Sequence, residues 1–380
     1  MAEYIFAKDE HRERIIDFIN MVFSQAHEPH EFRTLIPKVY GEGSGHADIH
    51  AIALEDERVR GCVAMYEFPV KIADETLKVG YIGSVSAHIQ DHGAGHMKQL
   101  MKIQLKAAED KGLDFITLGG QRQRYAYFGF EPAGISYEYN IGTPNICHAL
   151  KDIDPDGISF DEMKPEDAVF CYDLFEKLPL HGTRTPENFV ITCRTWRMDP
   201  YVIRKNGETI GYLVTDDEKE YFNEFLLVDY ADTKKVIKAW VQAFNAKKVG
   251  LNIAPYMPEL NKEIGTFAEG VSIHANGCLN ILNPAKVIRA YMKLKQEVEG
   301  SFTDGKAVIK IGDKPNVKIE VKNGVLTVDT TDEDADACLT GYEAVKLIFG
   351  INRFDTPNIA KKLPKDWFPL PMFLMGSDHF

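Results

Sequence analysis

Two short segments of this chain hold residues whose types and spacing could do chemistry. The first is Gln90-Asp91-His92-Gly93-Ala94-Gly95, between an apolar stretch, Leu77–Ser86, and a segment with Met97, Leu100, Met101, Leu105 and Ala108 at helical spacing. Strand, glycine turn and helix in that order make a phosphate cradle. Glycines let backbone N–H groups approach an anion, and the first helical turn adds unpaired donors and the positive end of the helix dipole. A plain tight turn is the other reading, but the spacing Q-x-x-G-x-G is specific in what it excludes. It has neither the Gly-Lys-Ser/Thr end of a P-loop nor the G-x-G-x-x-G of a dinucleotide fingerprint. His88 and His92 flank the turn and read as surface histidines, with a base as the alternative. The second segment is Tyr125-Ala126-Tyr127-Phe128-Gly129-Phe130-Glu131-Pro132. Its two phenols could donate a proton or simply pack.

These segments need a scaffold, and the chain is long enough for a large one. With 380 residues, 44% of them hydrophobic, two or three domains are expected. An amphipathic helix at Glu10–Phe23 precedes a loop rich in Gly, His and Glu. Strands are expected at His50–Leu54, Gly61–Phe68, Leu77–Ser86 and Asp114–Leu118. Pro144 and Asp154–Gly157 break the pattern, which puts a boundary near residue 150. Helical stretches at Asp161–Lys177 and Thr185–Arg197 then lead to strands at Tyr201–Arg204, Ile210–Thr215 and Tyr221–Val228, a helix at Lys234–Asn245 and a strand at Gly250–Ile253. No glycine-rich phosphate turn is visible in this second section, 151–285. The third, 286–380, is opened by a Pro-started helix at Asn283–Leu294. It has strands at Lys306–Ile311, Val317–Val321 and Gly324–Thr330, a hairpin turn at Asn323-Gly324, and a capping box at Thr340–Glu343 opening a helix that ends at Gly350. The fold class is therefore mixed, α/β (α+β).

Lys and Arg total 44 against 57 Asp and Glu, a net of −13, which disfavours nucleic acid as a partner and suits an amine-bearing one. The six cysteines form no C-x-x-C pair or Cys/His cluster. They suggest buried thiols in a reducing compartment, with no metal and no disulfide framework. The charged N-terminus and the lack of an apolar run of 18 residues lead to the expectation of a cytoplasmic protein without a membrane span.

Gln90–Gly95 resembles the coenzyme A pyrophosphate loop of GCN5-related N-acetyltransferases (the GNAT superfamily), and Tyr125–Phe130 is similar to the Tyr-x-x-Phe-Gly-Phe/Tyr that follows it there. Over nearly its whole length the chain also resembles the Eis-like (enhanced intracellular survival) branch. That branch has two tandem GNAT-like regions followed by a domain similar to sterol carrier protein 2 (SCP2-like). Gly211–Val214 with the Trp240 helix looks like the second region, and Asn283–Tyr291 looks like the start of the third.

The resemblance implies a transferase that moves an acetyl group from acetyl-CoA directly to a primary amine of polyamine, aminoglycoside or lysine type. It implies the cofactor site at Val85, Ser86, Ala87, Gln90, Asp91, His92, Gly93, Ala94 and Gly95. Backbone N–H groups near Val85 and Ala87 would polarise the thioester, and Tyr125 would be the acid for the departing thiolate. The tail Leu363–Phe380 is apolar and aromatic to its last residue, which is unusual unless something holds it. In the Eis-like branch the terminal carboxylate enters the site, which makes Phe380 the candidate base. Gln90 stands where many members have Arg, so the backbone at His92–Gly95 must carry more of the phosphate. The branch also implies a homo-oligomer, a hexamer. Two other functions fit the architecture: a lipid- or partner-binding protein working through its third section, and an aminoacyl transferase of tandem GNAT fold.

Overall fold

The computed structural model describes residues 2–26, 28–351 and 357–380. Strand β1 (Glu3–Phe6) leads to a helix, Arg12–Ala26, that buries Ile15, Ile16, Phe18 and Ile19. The glycine- and histidine-rich stretch expected as loop contains two one-turn helices, Phe32–Leu35 and Pro37–Tyr40. Strands β2 (His50–Glu55), β3 (Arg58–Ile72) and β4 (Glu75–Ala87) form an antiparallel meander. The helix His96–Asp110 crosses over it, and β5 (Phe115–Leu118) then pairs parallel to β4.

The next strands do not stay in one sheet. β6 (Glu131–Ala133) remains with the first sheet, while β7 (Ser136–Gly142) joins the second. Along the chain come β8 (Ile158–Glu162), β9 (Leu180–Gly182), β10 (Asp199–Lys205), β11 (Glu208–Thr215) and β12 (Tyr221–Leu227). The helix Thr233–Phe244, β13 (Lys248–Ile253), β14 (Gly270–His274) and β15 (Gly277–Ile281) follow. The second sheet has the order β14-β7-β13-β12-β11-β10-β8, whereas β15 inserts between β5 and β6 of the first. The two sheets thus interleave across residue 150: the first takes β15 and also β9, which pairs with β3, from beyond it, and the second takes β7 from before it. The second sheet repeats the first one's plan, an antiparallel β10-β11-β12 meander, a helix, and a parallel strand. Its link from β12 to the helix is Val228–Asp232, without glycine.

One expected helix is corrected. Residues Ile158–Glu162, placed partly in a helix from Asp161, form the edge strand β8 against β10, and the helix begins only at Ala168. The third section is a helix, Pro284–Glu299, on a sheet of β16 (Gly305–Ile311), β17 (Asn316–Lys322), β18 (Val325–Thr331) and β19 (Ala337–Leu339). The Thr340–Glu343 capping box starts the last helix, Gly341–Phe349. Cys62, Cys171, Cys193 and Cys278 are buried, but Cys147 and Cys338, also expected inside, are exposed. Among the described residues no helix is long and apolar enough to cross a membrane.

The C-terminal tail threads through all three sections. Trp367, Leu370, Met372, Phe373, Leu374, Met375 and Phe380 are buried. At about 1.5–3 kcal/mol per buried apolar side chain, those seven contribute on the order of 10–20 kcal/mol as an upper bound, comparable to the whole stability of a typical domain. Polar contacts fix its path. Ile135 N–H donates to Met372 O at 2.9 Å, Asn276 exchanges two hydrogen bonds with the Leu374 backbone, and Tyr256 O–H donates to Phe373 O at 3.0 Å.

At the end of this path Arg184 is buried between two carboxylates, Asp378 at 2.8 Å and Glu224 at 2.6 and 3.0 Å, with its guanidinium 3.9 Å from the Phe175 ring centroid. Tyr212 O–H donates to Glu224 at 2.9 Å. The Arg184 fork bridges acids from two elements far apart in sequence, which makes it the rivet between tail and second sheet. Replacing it by Ala leaves Glu224 and Asp378 buried without their cation. Urea unfolding of Arg184→Ala is expected to show a loss of about 3–5 kcal/mol.

Candidate functional site

β4 and β5 are in register only from Val79 opposite Phe115 to Ile82 opposite Leu118. Beyond that point β4 continues through Gly83–Ala87 with no strand along that edge. On its other edge the pairing with β3 slips, so that Ser84 and Val85 together stand opposite Val63. This is a β-bulge, and it bends the strand away from β5. Ser84 has a left-handed φ of 50°, which a non-glycine residue holds only against strain.

Buried hydrogen bonds hold it there. Tyr40 Oη lies 2.6 Å from Ser84 Oγ and 2.9 Å from His50 Nε2, and His50 Nδ1 lies 3.0 Å from Ala47 O. A carbonyl can only accept, so Nδ1 carries the imidazole proton. Nε2 then accepts from the Tyr40 hydroxyl, which in turn accepts from Ser84. Burial pushes His50 down to about 4, which keeps this chain of donors intact at neutral pH.

Two hollows meet at the splay. The outer one, about 620 Å³, is lined by Val85, Ser86, Ala87, Asp91, His92, Gly93 and Gly95, together with Lys98 and the helix residues Phe23 and Ala26. Gly93 and Gly95 have φ of 92° and 85°, and Gly95 is the N-cap of His96–Asp110 with no side chain to cap it. The first-turn N–H groups therefore face the hollow uncapped. Gln90 and Ala94 belong to the same turn but are exposed and absent from the lining.

Asp91 would repel an anion. Arg60 neutralises it through two contacts of 2.6 and 2.8 Å, which hold its carboxyl below the usual range. The positive charge that Gln90 does not supply is present in Lys98 and Arg124, both on the hollow's wall. His88 stays outside the lining and accepts from Gln90 N–H at 3.3 Å, whereas His92 is on the wall but exposed.

The inner hollow, about 520 Å³, shares Phe23, Val85, Arg124 and Tyr125 with the outer one and ends at His379 and Phe380. Tyr125 is thus common to both walls. It is 8% exposed, and burial raises its pKa, so the phenol stays protonated. Tyr127, two residues on, is 66% exposed, with the Lys98 ammonium 4.4 Å from its ring centroid, and lines neither hollow.

Phe380 reaches the inner hollow as the far end of the tail. Its ring stacks on Tyr40 at 6.0 Å and lies so close to Gly83 that a Cβ there would come within 2.6 Å of it. Lys38 fixes the preceding backbone by donating to Ser377 O at 2.6 Å and His379 O at 2.5 Å. Burial pushes its amine down to about 7 and, with the Lys38 charge beside it, takes His379 to about 4. No local motif points to Lys38, Tyr40, His50, Arg60 or Arg124. Only their approach in space marks them.

Residues 3–133 match the model of the acetyltransferase (GNAT) domain. No curated protein matches the chain. Among solved structures, a protein of unknown function from Enterococcus faecalis V583, described as a probable N-acyltransferase, has a TM-score of 0.72 at 15% identity, with 100% of each chain covered. Eis1 from Mycobacterium abscessus gives 0.65 at 14%, again over 100% of both chains. A GCN5-related N-acetyltransferase from Kribbella flavida gives 0.64 at 12%, over 91% of this chain and 88% of the other. At these identities what is shared is the fold, along the full length of the chain in the first two cases.

Two outcomes follow from the site's charges. Lys38, His50 and His379 all bind protons less readily folded than unfolded, so the unfolded chain holds more protons between about pH 4 and 6.5 and again between about 7 and 10.5. Stability should therefore rise with pH through both windows, and urea midpoints across pH should show the upper rise vanish in Lys38→Met. Arg60→Ala frees the Asp91 carboxylate beside the glycine turn. Calorimetric affinity for inorganic pyrophosphate, a probe for anion binding at this turn, is expected to fall by about tenfold, the equivalent of one lost charge-assisted contact.

Proposed function

We propose that this protein transfers an acetyl group from acetyl-CoA to a primary amine, without a covalent intermediate on the enzyme. The single observation that carries this reading is the meeting of the two hollows at the bulged end of β4, with Tyr125 on the wall of both. In this reading the outer hollow takes the cosubstrate. Its pyrophosphate is held by the uncapped backbone at His92–Gly95 and by the charge of Lys98, and the arm of the cofactor runs beside Gly83–Ala87, along the edge of β4 that β5 does not reach. Gln90 and Ala94 shape the turn from outside it.

The inner hollow takes the amine. Nitrogen attacks the thioester carbon, the C–S bond breaks, and the amine loses a proton while the thiolate gains one. Tyr125, protonated at neutral pH, is the donor to sulfur. The Phe380 terminal carboxylate, at the tail's far end, is the acceptor that the Eis-like resemblance suggests. The second sheet's link at Val228–Asp232 has no glycine turn, which supports a single cofactor site, in the first sheet.

The test has two parts. Isothermal titration with acetyl-CoA should show saturable binding, and its absence sinks the proposal. Tyr125→Phe should bind acetyl-CoA as the parent does while kcat falls by about 100-fold, the low end of what a positioned acid contributes. An unchanged kcat removes Tyr125 from proton transfer.

A further inference from the structure

The acidic composition favours a cationic acceptor, yet the inner hollow is built otherwise. One side of its wall gathers the apolar side chains Phe23, Phe32, Ile36, Trp196, Met198 and Phe380. Among the described residues lining it there is no Asp or Glu side chain, and the charged side chain that does line it is the cation Arg124. His379, held near 4, is neutral at working pH. The chain's negative field can draw an ammonium toward the mouth. Inside, with the Phe380 carboxylate taken up by the attacking amine, a second or third ammonium would lose water and meet no further counter-charge.

The wall carries a second sign of purpose. Trp196 and Arg197 both adopt left-handed φ, 61° and 59°, a costly conformation for a bulky side chain. Trp196 is pinned there by its N–H to Leu35 O at 2.5 Å, and its ring meets Phe32 edge-on at 6.4 Å. It remains 39% exposed, a large aromatic face turned to the hollow rather than folded into the core. Phe32 in turn meets Phe23 edge-on at 5.1 Å. Phe32 thus links Phe23 and Trp196, and the three rings form a slot for a flat apolar body.

Resting on the acetyl-transfer reading for its orientation but not for its occupant, we propose that the acceptor is a primary monoamine on an aromatic body, an arylalkylamine, and not a polyamine or an aminoglycoside. Its ring packs among Phe23, Phe32 and Trp196, and its one amino group points to the junction at Tyr125. Contact with these apolar rings also favours the neutral, nucleophilic form of the amine.

Binding can be read without turnover. Trp240 and Trp367 are fully buried, so Trp196 is the tryptophan that a ligand in the hollow can reach. The full-length protein, with and without coenzyme A, is titrated with 2-phenylethylamine and with spermidine, following fluorescence and heat. The expected result is saturable quenching by 2-phenylethylamine with a Kd at least about tenfold below that of spermidine. Equal or tighter binding of spermidine, or no binding of either amine, overturns the proposal.

Met198→Glu places a carboxylate on the half-buried wall and should move the ratio of the two Kd values toward spermidine by about tenfold. An unmoved ratio in a folded variant also overturns it. Trp196→Phe should abolish the quench and weaken the calorimetric binding of 2-phenylethylamine. A quench that survives shows the ligand to be elsewhere and overturns the assignment. Binding of 2-phenylethylamine without acetylation would sink the acetyl-transfer reading and leave the occupant standing, so the two failures are distinguishable.

Discussion

The buried cation Arg184 is the constraint on which the rest depends. A guanidinium out of water is tolerable only with carboxylates in hydrogen-bonding reach, and here they come from β12 and from the tail. That requirement fixes Asp378, which fixes the two residues after it, which places the Phe380 ring on Gly83 and on the wall of the inner hollow that Tyr125 also lines. Apolar burial supplies most of the energy that seats the tail. The ionic cluster, being directional, decides where it stops.

Positioning of the other wall follows a similar logic on a smaller scale. A bulge at Ser84 is costly, and the Tyr40 and His50 side chains meet that cost with hydrogen bonds that need a neutral imidazole. Those side chains come from a short helix and a neighbouring strand whose sequences carry no recognisable motif. The splay that opens the cleft is thus a product of side-chain chemistry behind the sheet as much as of strand geometry. Its fixed shape is what lets two hollows share one wall at Tyr125.

How much of this was legible in the sequence depends on distance along the chain. The glycine turn and Tyr125 could be read because each motif is local: its function needs only residues adjacent in sequence, in a fixed order. The meander, the crossover helix and the capping box at Thr340 were readable for the same reason. Lys38, Arg60, Trp196 and Arg184 were not, since their meaning lies in partners that folding brings to them and no periodicity announces a pairing across the chain. The expected helix at Asp161 failed because β8 is a short edge strand whose identity comes from β10. The exchange of β7 and β15 was invisible for a related reason: short strands carry little pattern, and either could have paired within its own section.

That exchange bears on how the molecule is made. β5 emerges from synthesis with one hydrogen-bonding edge open, and the strand that closes it, β15, lies beyond the entire second sheet. Until then the nascent first half presents an apolar sheet with an unpaired margin, the kind of surface that invites pairing with a neighbouring chain. The halves are therefore not modules to be cut apart or shuffled. Each is completed by a piece of the other, and the cleft at β4 acquires its final neighbours only when nearly the whole polypeptide is present.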